Sequence, residues 1–141
     1  MGGFVGKVRF LGVDYGSSRT GLALSDPVGI TCRPLEVLAE TEQESLVKKI
    51  ISVVTEYQVE GIVVGIPRPL SGGTNQQMKT VLAFVRRLER KSPVSVCTCD
   101  ERFTSVLAEK GLTGNDPRDA VAACYMLQSY LDTLTDDAGG G

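Results

Sequence analysis

Short, almost wholly apolar runs alternate with amphipathic stretches along the chain. The runs at residues 8–14 and 61–66 are rich in strand-forming residues and too short for typical helices, so they predict buried strands. Residues 19–25 predict an antiparallel hairpin partner of the first run, after a Gly-Ser-Ser turn. Residues 34–38 predict a short edge strand, and residues 94–99 predict a fifth strand.

Apolar residues at helical spacing predict a helix after the third strand and another after the fourth. The first follows a capping-box pattern, in which Glu44 stands three residues after Thr41. The second begins near Asn75 and carries its apolar stripe to Leu88. The basic residues near its opposite face are Arg86, Arg87, Arg90 and Lys91. Such a cluster is more typical of a solvated helix face than of a nucleic-acid groove.

The C-terminal part of the chain predicts two more helices and a tail. A short helix is expected over residues 104–110. Asp116 and Pro117 match an N-cap followed by proline at the first helical position, so a last helix is expected from there to about residue 132. Residues 136–141 predict a disordered tail after a single domain of residues 1–135.

The order of these elements, β-β-β-α-β-α-β-α-α, predicts an α/β fold. A hairpin-led meander of three antiparallel strands comes first. Right-handed crossovers would then make the two helix-linked strands parallel to the first strand. We therefore expect a mixed five-stranded sheet, with three antiparallel and then two parallel strands and with helices on both faces.

Composition narrows the chemistry that this fold can carry. The chain has 141 residues, a net charge of −2 and no histidine, which excludes His-dependent nucleophilic catalysis and His-ligated zinc. Its four cysteines lack C-x-x-C spacing, so we expect reduced core thiols. No apolar run is long enough for a membrane span or a signal peptide, which predicts a soluble, cytoplasmic protein.

Acidic residues stand where the parallel strands are predicted to end. Asp14 closes the first strand, and Asp119 lies in the first turn of the last helix. Asp100 and Glu101 close the fifth strand. Parallel strands open their carboxyl ends on one edge of the sheet, so these acids can converge there. Converging carboxylates repel one another unless cations hold them, and two Mg²⁺ ions roughly 3.5–4 Å apart can promote phosphodiester hydrolysis.

Each acid also has a purely structural interpretation. Asp14 can accept backbone N–H bonds in the turn that follows it. Asp119 suits a helix start because the helix dipole favours an acid there. Asp100 and Glu101 could pair with Arg102. Strand alternation also places Asp100 and Glu101 on opposite faces, so only one of them is expected to face the site.

Four segments together resemble the YqgF/RuvX family of Holliday-junction resolvases: LGVDYGSSRTGLALSDP, IVVGIP, DERFTSVLAE and DAVAACYMLQSYLD. The resemblance spans nearly the whole chain, about residues 7–132. It implies a ribonuclease-H-like fold and a cytoplasmic bacterial nuclease that depends on Mg²⁺ or Mn²⁺. The family's proposed roles, junction resolution and 5′ trimming of the 16S ribosomal RNA precursor, imply branched DNA or precursor RNA as the partner.

The resemblance also implies site residues, position by position. Asp14 matches the family's first-strand aspartate, and Asp119 matches the acid that opens its last helix. Asp100, Glu101 and Arg102 match its D-E-R segment, and whether Asp100 or Glu101 binds metal stays open. These four acids are the expected catalytic and metal-binding residues. The expected nucleic-acid contacts are Arg19, Arg68, Arg102, Thr104 and Arg118.

The chain departs from the family pattern at two places. In the loop after the fourth strand, Pro69 and Ser71 replace the usual Asn and Asp. The segment before Asp119 is shorter and less basic than is common in the family. If these positions contact nucleic acid, the affinity for the substrate or the substrate preference would be altered. The four acids that match the family's site are all present.

Two other functions are alternatives to a nuclease. The hairpin at Asp14 also resembles the phosphate-binding hairpin of actin-like and sugar-kinase folds, although those proteins close two lobes around ATP. A non-catalytic ribosome-assembly factor would keep the acids and bind RNA without yielding metal-dependent products. A symmetric four-way junction favours a homodimer on the substrate, whereas RNA trimming needs only one site.

Overall fold

The computed structural model describes residues 8–67, 75–100 and 118–139, with side chains described as far as residue 134. Its elements are β1 (Phe10–Asp14), β2 (Thr20–Ser25), β3 (Cys32–Leu38), α1 (Gln43–Glu56), β4 (Gly61–Ile66), α2 (Gln76–Lys91), β5 (Ser95–Asp100) and α3 (Arg118–Gly139). The predicted helix at residues 104–110 and the predicted cap at Asp116 and Pro117 lie outside the described residues.

The five strands form one sheet in the order β3-β2-β1-β4-β5. β1 pairs antiparallel with β2, and β2 pairs antiparallel with β3. β4 lies parallel to β1 and to β5. This topology confirms the predicted mixed sheet, because β1, β4 and β5 all open their carboxyl ends on the same edge, called here the carboxyl edge.

Strand alternation divides the core into two layers, one on each face of the sheet. Leu11 and Val13 of β1 belong to the layer under α1 and α2. Phe10 belongs to the layer under α3, where its ring meets that of Tyr130 edge-on at 5.6 Å. Gly12 lies under α3 too, because an added Cβ there would come within 2.9 Å of the Leu127 Cβ.

The helix ends differ from the sequence-based predictions. The N-cap of α1 is Glu42, whose side chain makes no cap hydrogen bond, so the capping-box prediction is wrong. Glu42 and Glu44 are exposed at this helix start, so water can satisfy free N–H groups there. α3 runs to Gly139 rather than to about residue 132. Leu131 and Leu134 continue its apolar stripe against the core, which explains the greater length.

All four cysteines are free thiols. Cys97 and Cys99 both pack against the layer under α3, as the alternation of β5 predicts. The Cys32 and Cys124 sulfurs lie 3.4 Å apart and link β3 to α3. This hydrogen bond and burial both raise the pKa of Cys32, whereas the same hydrogen bond lowers the pKa of Cys124 against the opposing effect of burial. Among the described helices, none is long and apolar enough to cross a membrane.

Candidate active site

The hairpin between β1 and β2 holds Asp14 at the carboxyl edge. Asp14 ends β1, and its cross-strand partner is Gly21. The hydroxyl of the fully buried Thr20 bonds both backbone groups of Gly16, with the Gly16 N–H donating at 3.3 Å and the Gly16 carbonyl accepting at 3.4 Å. These two bonds close the turn and therefore fix the direction in which the chain leaves Asp14.

The start of α3 rests directly on β2 at Gly21. A Cβ placed on Gly21 would overlap the backbone oxygen of Asp119. Directly paired residues of antiparallel strands have Cα atoms about 4.5–5.5 Å apart, so Asp14 is the immediate neighbour of the position on which Asp119 rests. Asp14 also shares the face of Gly12 and Phe10, which is the α3 face. The fold thus brings together two acids that are far apart in the chain.

Arg19 forms an ion pair with one of these two acids, Asp119. Its Nε lies 3.3 Å from Oδ2 of Asp119, with 66% of the Arg19 side chain and 32% of the Asp119 side chain exposed. An ion pair this open to water contributes only about 0–1 kcal/mol to stability. Its consequence is therefore local: it offsets part of the negative charge that Asp14 and Asp119 place at the carboxyl edge.

Asp100 reaches the same edge from β5 but on the other face. It pairs with Ile66, two strands away from β1. Cys97 and Cys99 face α3, so alternation turns Asp100 toward the side of α1 and α2. Two strand spacings put the β5 and β1 backbones roughly 10 Å apart. The structure thus brings Asp14 and Asp119 together and places Asp100 on the opposite face.

The remaining predicted residues divide into two groups. Arg118 is exposed at the first position of α3, next to Asp119. Four predicted site residues lie outside the described residues, and their roles stay predictions: Arg68, Glu101, Arg102 and Thr104.

Asp14 and Asp119 suit a hard divalent ion by their chemistry, since carboxylate oxygens are the ligands that Mg²⁺ and Mn²⁺ take in proteins. Within the described ranges, no group of three or more His, Cys, Asp or Glu side chains is arranged to hold a metal. Asp14 and Asp119 fit as part of a metal site. Of the two further acids expected as ligands, Asp100 lies on the opposite face and Glu101 lies outside the described ranges.

An aromatic stack supports the site from the other face. The Tyr15 ring, one residue after Asp14, lies on the Phe84 ring of α2 with centroids 4.4 Å apart. The Gln43 amide of α1 donates to the Tyr15 hydroxyl at 3.0 Å. This stack is absent from the sequence-based predictions, although the aromatic residue directly after the strand-ending acid could have indicated it. The stack ties the Asp14 turn to both helices of that face.

Known proteins resemble this chain over nearly its full length. A family model described as "RuvX: Holliday junction resolvase" matches residues 8–133. A "Putative pre-16S rRNA nuclease" of Desulforamulus reducens is 37% identical over 134 residues, which cover 89% of this chain and 98% of that protein. A protein of the same name from Desulforudis audaxviator is 38% identical over 134 residues, with 89% and 95% covered.

Solved structures share the fold at low sequence identity. T. thermophilus RuvC in complex with a Holliday junction substrate superposes with a TM-score of 0.62 at 14% identity, covering 91% of this chain and 96% of that chain. The Fowlpox virus resolvase, in complex with Holliday junction DNA, gives a TM-score of 0.56 at 13% identity, with 89% and 98% covered. These likenesses confirm the predicted ribonuclease-H-like fold.

Proposed function

Because this chain belongs to the RuvX family of Holliday junction resolvases, we propose that it is a divalent-metal-dependent nuclease that hydrolyses phosphodiester bonds in structured nucleic acid. The substrate is a four-way DNA junction or a 5′-extended precursor of 16S ribosomal RNA, the second following the names of the curated relatives. The observation that carries the proposal is the contact between the Asp119 backbone and Gly21, the cross-strand partner of Asp14, because it places the two acids side by side.

In this proposal Asp14, Asp119 and one acid of the β5 end hold Mg²⁺ or Mn²⁺. A bound divalent ion activates water and stabilises the charge on the leaving oxygen. We assign the third position to Glu101 rather than Asp100, because alternation turns Asp100 toward α1 and α2. Asp100→Asn is then expected to be much milder than Glu101→Gln.

The chain's own residues orient the site. The Thr20 bonds to Gly16 hold the turn after Asp14, and the contact at Gly21 holds the start of α3. Arg19 pairs with Asp119 while most of its side chain is exposed, so it would be placed to contact a phosphate group bound beside the two acids. Arg118 is exposed beside Asp119 and supplies a second candidate phosphate contact.

The experiment compares wild type with Asp14→Asn and Asp119→Asn on a labelled four-way junction and a 5′-extended RNA precursor. Each reaction is run with Mg²⁺, Mn²⁺ or EDTA. Asp132→Asn is a matched control, because Asp132 is an exposed acid on the same helix α3. We expect both site variants to cut no better than wild type in EDTA, while Asp132→Asn cuts like wild type. Equal cleavage by all four proteins would refute the assignment.

A non-catalytic assembly factor gives a different result. Wild type would then bind the RNA precursor tightly, and no metal-dependent product would form from either substrate. Cleavage of only one substrate would identify the substrate class. Paired symmetric cuts in the junction would in addition indicate two copies of the chain acting together.

A further inference from the structure

A basic groove lies between α1 and α2, on the face of the sheet opposite α3. Its volume is about 430 Å³. Its floor is apolar, formed by the buried Val47 and the half-buried Ile51. Glu44 is the acid among the described lining residues. The cations that line it are Lys48, Arg87, Arg90 and Lys91. Lys48 comes from α1, so the groove joins cations from two helices that the sequence alone does not place together.

Within the described ranges these groove cations form no ion pair, although one acid, Glu44, lines the same groove. The ion pairs found in those ranges are Arg19 with Asp119 and Lys49 with Glu40. Within α2, Arg87 lies three and four residues before two other cations, and like charges at this spacing cost about 0.2–0.5 kcal/mol per pair. Glu44 offsets part of this repulsion, since it precedes Lys48 by four residues, but four cations face one acid, so an anion in the groove would be favourable.

A structural role accounts for only part of this arrangement. The helix dipole favours cations in the last turn of a helix, which explains Arg90 and Lys91 at the end of α2. The dipole does not explain Arg87, which precedes that turn. Lys48 lies in the first half of α1 and follows Glu44 by four residues, a favourable spacing that accounts for one cation only. Long basic side chains also lay their stems over apolar surface, so packing alone would leave their charged ends in water. The excess of cations over acids in the groove, which comes from both helices, is therefore what an anionic partner would neutralise.

The groove is close to the candidate active site along α2. Phe84, which stacks on Tyr15 beside Asp14, precedes Arg87 by three residues. Three residues are almost one helical turn, a rise of about 4.5 Å. A nucleic-acid strand that leaves the carboxyl edge on the α1–α2 side therefore meets these cations directly.

We propose that the groove between α1 and α2 binds the phosphodiester backbone of the nucleic-acid substrate outside the cleavage site. The inference rests on the proposed function for the identity of the polyanion and extends it to a second surface. Cations that contact the phosphate backbone recognise its charge and spacing rather than the base sequence. This surface would therefore increase the affinity for the substrate and orient it without base preference. It also offers a basic surface to a chain whose net charge is −2.

The test measures binding at several salt concentrations in an Asp14→Asn background, with the labelled junction and the labelled RNA precursor as probes. Arg87→Gln combined with Arg90→Gln removes two positive charges from the groove. Lys79→Gln combined with Arg86→Gln is the control, because it removes two positive charges from exposed positions of the same helix that do not line the groove. Thermal unfolding of each variant checks that the fold is kept.

We expect the groove double variant to reduce the slope of log K against log salt by about 1.4 for a single strand or about 1.8 for a duplex, for two lost phosphate contacts. The control should leave the slope near that of the parent. A groove double variant with the parent's slope, or a control that lowers the slope equally, would overturn the proposal.

The same proteins separate this inference from the proposed nuclease. With Asp14 intact, the groove double variant should cleave its substrate with a raised KM. If wild type makes no metal-dependent product, the proposed nuclease fails, yet the salt slopes in the Asp14→Asn background still decide whether the groove binds nucleic acid. If wild type cleaves while the slopes are equal, the groove proposal fails alone.

Discussion

The two faces of the sheet are built by opposite means. Under α3 the contacts depend on small residues, which let the helix backbone approach the strands: Gly12, Gly21, Ala23, Ala120 and Ala123. Under α1 and α2 the space is filled by large aliphatic side chains, among them Leu11, Leu22, Leu46, Ile50 and Ile62. Asp14 and Asp119 belong to the first face, whereas Asp100 lies on the second. The position of Asp14 and Asp119 is therefore set by backbone contact, whereas the second face stabilises the fold and carries the proposed groove.

The two kinds of packing should respond differently to mutation. Side chains under α1 and α2 can shift by small amounts when a methyl group is lost, which limits the cost. Backbone atoms of α3 cannot move away from β2 without moving Asp119 itself. A change of one methyl group should therefore affect only stability under α1 and α2, whereas under α3 it should affect both stability and activity.

The largest effect is expected from Gly21→Ala. The new Cβ would overlap the backbone oxygen of Asp119, so the start of α3 must move away from β2. Overpacking of this kind costs about 1–3 kcal/mol or more. Displacing a site group by roughly 1 Å can cost about 100-fold in rate, so we expect at least that loss of cleavage. Urea unfolding and the metal-dependent cleavage rate measure the two effects.

Ile62→Val is the matched change on the other face. Ile62 is fully buried under α1 and α2, and the loss of one methylene there costs about 0.5–1.5 kcal/mol. The cleavage rate of the folded variant should equal that of wild type. If Gly21→Ala kept full activity, or if Ile62→Val lost as much activity, the proposed contrast between the faces would be wrong.

Gly12→Ala should have an intermediate effect. Its Cβ would lie 2.9 Å from the Leu127 Cβ and 3.3 Å from the Ala123 carbonyl oxygen, both beyond the first turn of α3. Here α3 needs to move by only a few tenths of an ångström, far from Asp119. We expect a loss of about 1–2 kcal/mol in unfolding free energy and a smaller loss of cleavage than for Gly21→Ala. A rank order with Gly12→Ala more damaging to cleavage would contradict this gradient.

Much of this contrast can be predicted from the sequence, and the rest depends on distant contacts. The apolar runs and the strand-ending Asp14 predict the parallel strands and their shared edge, and the structure confirms that edge. A glycine inside a strand, such as Gly21, signals a close backbone approach without saying which element approaches. The identity of that element depends on chain folding over about a hundred residues, which local patterns do not encode.

The same limit applies to the other face. Lys48 and Arg87 line one groove although nothing in their local sequence relates them. The stack of Tyr15 on Phe84 likewise joins two segments that are far apart in the chain. The length of α3 was underestimated for a different reason, because the acidic residues near its end weaken the helix pattern while Leu134 still packs against the core.

A fourth prediction concerns the end of the α3 face farthest from the acids. The Asp26 carboxylate accepts bonds from the Val28 and Thr31 backbone N–H groups, each at 2.7 Å, and from the Thr31 hydroxyl at 2.8 Å. The same turn meets α3, since the Gln128 amide donates to the Ile30 carbonyl at 2.9 Å. Partial burial opposes ionisation, but these hydrogen bonds outweigh it and lower the pKa of Asp26 from 3.8 to about 2.

Stability supplied by Asp26 should therefore depend on pH. A carboxyl group with a folded-state pKa below its unfolded value stabilises the protein above the unfolded pKa, and the contribution is lost as pH falls through the folded pKa. We expect Asp26→Ala to cost about 1 kcal/mol at pH 7 and to converge with wild type as pH falls from about 4 to about 2. A difference in unfolding free energy that stays constant over this range would exclude the mechanism.

The smallest effect is expected from Tyr15→Phe, on the α1–α2 face. The substitution keeps the ring stacked on Phe84 and removes only the hydroxyl that accepts the Gln43 amide. One such hydrogen bond contributes about 0.5–1.5 kcal/mol, so unfolding free energy should fall by that amount. The cleavage rate should stay at the wild-type value, because the stack and not the hydroxyl holds the turn after Asp14. Cleavage that falls while stability is unchanged would instead give this hydroxyl a role in the reaction, and the catalytic site would then extend onto the α1–α2 face.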